Sequence, residues 1–166
     1  EAALAEVLRA AEGADSVGWG GSETLKEIGA KDALMASGKK ICDHEMVMDL
    51  FLLSANALTE DGIIVNIDGR GNRLAGQVFG IGKKVYIISG TNKIAPDLNS
   101  AIERARQVAC VKRGKDFPYN TPCKIDDKCH DCRSKERFCN AMLILMCPMF
   151  DMEGMEVILI DEVMGY

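Results

Sequence analysis

The sequence predicts an α/β domain with a mostly parallel sheet that helices cover on both faces. Short apolar runs of strand length alternate along the chain with segments of helical periodicity, which is the pattern of successive βαβ units. The run MDLFLLSA is apolar without alternation, as expected of a strand buried on both sides. With 166 residues, of which 48% are hydrophobic, the chain is long enough to bury a core, and we expect one domain over residues 1–166.

Each element follows from a local pattern. The opening helix places apolar side chains on one face at Leu4, Val7, Leu8 and Ala11. A second helix begins at Glu23 and stops at Gly29, and NRLAGQVFG is a third. The clearest helix follows Pro96 and Asp97, with an apolar stripe from Leu98 to Ala109. The predicted strands are DSVGW, KKIC, MDLFLLSA, GIIVNID, KKVYIISG and EVILIDEV.

One junction does not fit a parallel sheet. Little more than DHEMV separates KKIC from MDLFLLSA, whereas a parallel crossover needs roughly a dozen residues. Either these two strands are antiparallel, or a segment is missing near 44–47, and we favour the missing segment. The chain also begins without Met, so we expect a missing N-terminal segment as well.

Composition excludes several classes of partner and suggests a compartment. The net charge is −5 and no basic stripe is present, which argues against nucleic acid and anionic membranes as partners. The longest apolar runs, such as AMLILMCPMF, span about ten residues and are too short to cross a bilayer. Seven cysteines without a secretory signal indicate a cytoplasmic protein. In that compartment clustered thiols bind metal or take part in redox reactions more often than they form structural disulfides.

The stretch VGWGGSETL is a candidate anion site. Its glycines, Gly18, Gly20 and Gly21, expose backbone N–H groups at the carboxyl end of a strand, next to Ser22 and a helix start. Such a loop favours a phosphate or carboxylate ligand. The alternative is a tight turn in which Ser22 only caps the helix.

Two further loops carry polar side chains. In SANALTEDGIIVNIDGRGNR we select Asn56, Asn72 and Arg73 as ligand-binding residues, and Glu60 as a general base if burial raises its pKa. The alternative is a hairpin with turns at EDG and DGRGN. In SGTNKIAPD, Lys93 lies between a strand and a helix, where it would meet an anionic substrate or be an ordinary surface lysine.

The stretch TPCKIDDKCHDCRSKERFCN is a candidate metal site, with Cys123, Cys129, Cys132 and Cys139 as its ligands. Its C-x2-C unit can grip one metal from a single turn, but zinc sites usually pair two such units. A [4Fe–4S] cluster tolerates less regular spacing, so zinc and an iron–sulfur cluster both stay open. His130 is an alternative ligand or a solvated residue. A reduced, metal-free loop is the remaining interpretation.

Four segments together resemble a known family. They are VGWGGSETLKEIG, SANALTEDGIIVNIDGRGNRLAGQVFG, KKVYIISGTNKIAPDLNSAIERAR, and the TPC, CxxC and RFCN elements of the cysteine stretch. From about Val17 to its end, the chain resembles the LUD family, the lactate-utilisation proteins of the LutC/YkgG type.

The resemblance implies a fold and a set of roles. The fold is the three-layer α/β/α sandwich of ribose-5-phosphate isomerase, glucosamine-6-phosphate deaminase and CoA transferases, the NagB/RpiA/CoA transferase-like superfamily. By position, Gly18, Gly20, Gly21 and Ser22 match the substrate loop of those relatives, while Glu60 and Lys93 match their acid and lysine loosely.

The resemblance also implies a function. Family members encoded with lactate-oxidation operons are implicated in oxidising L-lactate to pyruvate beside iron–sulfur partner proteins. The alternatives are a stand-alone isomerase, deaminase or acyl-transfer enzyme acting on a sugar phosphate or acyl-CoA, and a module that binds a small anion. We also expect a homodimer formed through an apolar helix face.

Overall fold

A computed structural model describes residues 1–42, 48–79 and 83–166. The helices are α1 Ala2–Ala10, α2 Glu23–Glu27, α3 Ala30–Ala36, α4 Asn72–Val78, α5 Leu98–Arg104, α6 Val111–Asp116 and α7 Cys123–Asp126. The strands are β1 Ser16–Trp19, β2 Lys40–Cys42, β3 Leu50–Leu53, β4 Ala57–Thr59, β5 Ile64–Asp68, β6 Lys84–Gly90, β7 Ile94–Ala95, β8 Ala141–Leu145 and β9 Gly154–Ile160. A 3₁₀ turn, Thr91–Lys93, precedes β7, and a π-helical segment, Ala105–Cys110, joins α5 to α6.

The chain divides into two compact units made of interleaved segments. The first unit comprises residues 1–54, 75–92 and 148–165, and the second comprises 55–74, 93–147 and 166. No helix within the described ranges is both long and apolar enough to cross a membrane.

The first unit is built on a five-stranded sheet in the order β2-β1-β3-β6-β9, with every neighbouring pair parallel. Side chains alternate between the faces of a strand, so Leu50 and Leu52 of β3 pack with α1, α2 and α3, while Phe51 points to the other face. There its ring lies against Gly76 of α4. Helices therefore cover both faces, and the predicted α/β fold with a mostly parallel sheet, consistent with a three-layer sandwich, is confirmed.

The second unit contains a four-stranded mixed sheet in the order β7-β4-β5-β8. Strands β4 and β5 form an antiparallel hairpin, as the EDG turn predicts, with Gly62 at a φ of 93° in its turn. The apolar stripe of α5 and the π-helical segment packs on this sheet through Ala101 and Ala105.

Two sequence expectations need revision. AMLIL, which carried no strand assignment, forms β8 and pairs antiparallel with β5. The strands β2 and β3 both run parallel to β1, so the antiparallel explanation of their short junction is wrong. The segment expected near 44–47 falls on residues that lie outside the described ranges.

Candidate functional site

The glycine loop belongs to the first unit. A Cβ added to Gly18 would lie 1.8 Å from Met48 Sδ and 2.6 Å from Phe51 Cδ2, so packing requires glycine there. The N–H of Gly20 donates to Leu52 O at 2.8 Å, and an added Cβ at Gly21 would meet nothing within 4 Å. Ser22 Oγ accepts from Leu25 N at 3.2 Å and caps α2. Ser22 therefore caps α2, and anion binding at this loop stays a prediction.

The second unit holds the polar residues of the hairpin region. Asn56 Oδ1 accepts from Ile67 N at 2.7 Å, and Asn56 N donates to Asn66 Oδ1 at 2.9 Å, so Asn56 bridges two backbone segments. Asn72 is exposed at the start of α4.

Arg73 is held beside the end of β5. Its backbone N–H donates to Asp68 Oδ2 at 2.9 Å, and its guanidinium donates to Ile67 O. Burial lowers the pKa of Arg73, and the Asp68 carboxylate opposes that shift. These contacts give Arg73 a structural role at the end of β5. A role in ligand binding stays a prediction.

Glu60 and Lys93 have different surroundings. Glu60 is exposed next to the hairpin turn, and its backbone N–H donates to Ala95 O at 3.1 Å. Lys93 is only 2% exposed, so it is not the surface lysine that one interpretation expected. The exposed position of Glu60 does not provide the burial that a general base would need there.

A cavity of about 240 Å³ lies entirely within the second unit. Its wall combines thiols, two arginines, an aspartate, an amide and apolar side chains. The lining residues are Ile67, Ile102, Arg106, Cys110, Cys129, Asp131, Arg137, Cys139, Asn140, Ala141 and Met142. We call this the cysteine cavity. Concave sites that join apolar walls to a few converging polar groups are the usual form of a small-molecule site.

Two thiols of the cysteine cavity interact directly. The Cys110 thiol donates to the Cys139 sulfur; this hydrogen bond, followed by the Arg137 guanidinium, lowers the pKa of Cys139 to about 6, against the opposing effect of burial. The same hydrogen bond and burial raise the pKa of Cys110. The shifts therefore favour the thiolate form of Cys139 and the protonated form of Cys110.

The two arginines are held in place by backbone and carboxylate groups. Arg137 Nε donates to Cys139 O at 2.9 Å, and its Nη1 donates to Cys132 O at 2.7 Å. Arg106 Nη2 lies 2.9 Å from Asp131 Oδ1 and 4.0 Å from Cys129 Sγ. Arg137 Nη2 is 3.6 Å from the same Asp131 oxygen. One exposed carboxylate thus faces two guanidinium groups.

The four cysteines predicted as metal ligands are not brought together as one group. Cys129 and Cys139 line the cysteine cavity with Cys110, whereas Cys123 and Cys132 are not among its described lining residues. Cys123 Sγ lies 3.3 Å from Thr121 Oγ1. Across 1–42, 48–79 and 83–166, no set of three or more His, Cys, Asp or Glu side chains is arranged to hold a metal ion. Zinc or an iron–sulfur cluster stays a prediction for elemental analysis and an absorbance spectrum.

Sequence reasoning missed the residues that the second unit adds to this site. Cys110 and Arg106 lie in the middle of the apolar helical stripe, outside the cysteine-rich stretch. Both occupy the π-helical segment, and such segments occur frequently at functional sites. The sequence signal for these positions is a guanidinium and a thiol between the apolar residues of the helical stripe.

A model of a known protein family matches most of the chain. The family model described as the LUD domain matches residues 36–160, which includes the whole of the cysteine cavity. No curated protein matches the chain.

Proposed function

The chain belongs to the LUD domain family, which is related to lactate utilisation, and we propose that it is a LutC/YkgG-like component of L-lactate oxidation. Converting L-lactate to pyruvate releases two electrons and two protons, and we propose iron–sulfur partner proteins as the electron acceptors. The match over residues 36–160 is the observation that carries this proposal. The proposed setting is the cytoplasm.

The cysteine cavity is the proposed site for the organic acid. A 2-hydroxy acid combines a carboxylate with a small apolar group. Arg106 and Arg137 supply guanidinium groups that pair with carboxylates in a forked geometry. Ile67, Ile102 and Met142 supply an apolar wall for the methyl group. A carboxylate entering the cavity would compete with Asp131 for the two arginines.

Binding is measured by calorimetric titration of the purified chain with L-lactate, propionate and lactamide. Lactamide lacks the charge that would pair with the two arginines, whereas propionate lacks only the hydroxyl group, for which no contact is proposed. We expect Arg106→Gln and Arg137→Gln to weaken L-lactate binding roughly tenfold or more, since each removes a hydrogen bond to a charged group.

Two controls separate ligand binding from structural damage. Asp131→Asn removes the competing carboxylate and leaves both guanidinium groups, so it should keep or strengthen L-lactate binding. Arg133→Gln removes an equal charge from an exposed position outside the cavity lining and should have no effect. If both cavity arginine variants keep their affinity for L-lactate and Gly21→Ala loses it, the glycine loop and not the cysteine cavity binds the ligand.

The alternative enzyme classes receive less support. An isomerase, deaminase or acyl-transfer reaction was proposed to use Glu60 and Lys93, but Glu60 is exposed. Turnover of a sugar phosphate or an acyl-CoA that disappears in Glu60→Gln would favour this alternative. Binding of a small anion without turnover in the presence of electron acceptors would favour the binding module.

A further inference from the structure

The strand β8 forms an exposed edge of the sheet in the second unit. It is the last strand in the order β7-β4-β5-β8, so among the described strands it pairs with β5 alone. Its side chains Met142 and Ile144 are 39% and 37% exposed, and Met146, which follows the strand, is 75% exposed. An edge of this kind offers unpaired N–H and C=O groups and apolar side chains to another chain.

The backbone groups of Met142 and Ile144 point to that free edge. Along an antiparallel strand, the N–H and C=O of successive residues point alternately to its two sides. In β5, Val65 O and Ile67 N both bond to Asn56, on the β4 side, and therefore point away from β8. Their register partners in β8 are Ile144 and Met142. Residues in such a pair point their backbone groups away from each other, so those of β8 face outwards.

The distribution of charge selects the partner that this edge can accept. No charged residue lies between Arg137 and Asp151, so β8 lacks the charges that commonly protect edge strands. Strand β9, the edge of the other sheet, is flanked by Glu153 and Asp161. Antiparallel pairing of two copies of β9 about its middle residue would oppose these like charges, which is destabilising. The same pairing of two copies of β8 opposes uncharged residues only.

We propose that β8 is a dimer interface, at which it pairs antiparallel with β8 of a second copy of this chain. A two-fold axis at Leu143 pairs every residue of the strand Ala141–Leu145. It opposes Met142 of one copy to Ile144 of the other, and Leu143 to its own counterpart. Both free β8 edges are used, so the assembly closes at two copies. The interface is a strand edge and not the apolar helix face expected from the sequence.

The position and size of the interface have two consequences. Ala141 and Met142 also line the cysteine cavity, so the second copy lies beside one wall of that cavity. The inference does not depend on the proposed role in lactate oxidation. Stable interfaces cover roughly 800 Å² on each partner, and a strand of five residues is a small contact by comparison. We therefore expect monomer and dimer in an equilibrium that shifts with concentration.

Sedimentation velocity of the full chain, from about 1 μM to about 200 μM, measures this equilibrium. We expect the fraction of dimer to rise with concentration in the wild type, and Ile144→Lys to remain monomeric because it places a cation at the interface. Leu159→Lys adds the same charge to an exposed position of β9 and should dimerise as the wild type does. A wild type that is monomeric throughout, oligomers larger than two, or equal loss of dimer in both variants would overturn the proposal.

A charge pair tests the register across the two-fold axis. Position 142 of one copy faces position 144 of the other, so adding Met142→Glu to Ile144→Lys brings opposite charges together. We expect the double variant to recover the dimer and to lose it again at high salt, because exposed ion pairs are screened. Circular dichroism verifies that each variant folds. A folded double variant that stays monomeric at low salt would contradict the proposed pairing.

A covalent link tests the position of the axis. Leu143 faces its own counterpart, so Leu143→Cys in a Cys147→Ser background should form a disulfide between two copies in an oxidising glutathione buffer. Leu159→Cys in the same background is the matched control on β9 and should form much less. Non-reducing peptide mapping by mass spectrometry identifies the linked positions. Equal linkage at both positions, or none at position 143, would overturn the assignment of β8 as the interface.

Discussion

Asn56 and Asn72 are the same residue type in the same polar stretch, but their surroundings in the structure differ. The Asn56 side chain accepts a hydrogen bond from Ile67 N at 2.7 Å, whereas Asn72 is exposed. We expect Asn56→Ala to reduce the free energy of unfolding by about 1–3 kcal/mol, because Ile67 N loses its acceptor. Asn72→Ala should change it by less than about 0.5 kcal/mol. Urea unfolding measures both, and equal effects would contradict the structural role of Asn56.

Cys139 provides a second prediction at the scale of one residue. Its pKa is lowered to about 6, first by the hydrogen bond from Cys110 and then by Arg137. The rate at which iodoacetamide labels Cys139 should therefore rise through about pH 6 and level off above it. In Cys110→Ala this rise should move towards the ordinary thiol range, about pH 8.5.

Arg137→Gln should shift the same labelling profile upwards as well, because it removes the guanidinium that favours the thiolate. Arg133→Gln removes an equal charge from an exposed position and serves as the matched control. Peptide-level mass spectrometry follows Cys139 separately from the other six cysteines. A profile that is the same in wild type and in Cys110→Ala would show that the Cys110 hydrogen bond does not set the thiol pKa.

Elements with a strong local pattern were predictable, and elements set by tertiary pairing were not. The period of the apolar stripe fixes the helical region from Leu98 onwards, but no pattern distinguishes its π-helical segment. AMLIL carries the apolar character of either a strand or a buried helix, and pairing with β5 makes it a strand. The cavity could not be predicted for the same reason, since Cys110 and Cys139 meet only through that packing.

The contact between α4 and β3 gives a prediction at the scale of elements. A Cβ on Gly76 would lie 2.4 Å from Phe51 Cζ and 2.6 Å from Phe51 Cε2. These distances are a steric clash that the rigid ring cannot relieve without moving. Alanine is the better helix former by about 1 kcal/mol, but overpacking costs about 1–3 kcal/mol. We therefore expect Gly76→Ala to lower the midpoint of thermal unfolding.

A second background tests the cause of that loss. Phe51→Leu removes the ring, so adding Gly76→Ala to it should be neutral or stabilising. Gly21→Ala is the control in the glycine loop, because nothing lies within 4 Å of the added carbon, and it should cause no loss. Destabilisation of equal size in the wild-type and Phe51→Leu backgrounds would rule out the ring as the cause.

At the scale of the whole molecule, the sequence was informative about class and less so about chemistry. The alternation of elements and the apolar β3 predict the parallel sheet, because a strand buried on both faces is apolar at every position. The glycines predicted to bind an anion also satisfy packing, as Gly18 does against Met48 and Phe51. A glycine-rich turn looks the same for either purpose, so its pattern alone does not distinguish them.

Acid should destabilise the protein through carboxylates that accept hydrogen bonds in the folded state. The pKa of Asp49 is lowered mainly by hydrogen bonds from Ser16 N and Ser16 Oγ, and that of Asp97 by the N–H of Ser100 at the start of α5. Each folded pKa lies below the unfolded value of about 3.9. The stability they contribute is therefore present above about pH 4 and is lost as the pH falls through the folded pKa.

The midpoint of thermal unfolding, measured from pH 7 downwards, should stay level to about pH 4 and then fall. Asp49 accepts from Ser16 N and Ser16 Oγ, each at 2.8 Å, and from Asp15 N at 3.0 Å, which ties the start of β1 to the residue before β3. Asp49→Asn keeps an acceptor oxygen but cannot titrate, so its acid slope should be shallower. Asp151→Asn removes the same charge from an exposed position outside the strands. A slope in Asp49→Asn as steep as in wild type would show that this carboxylate does not couple folding to pH.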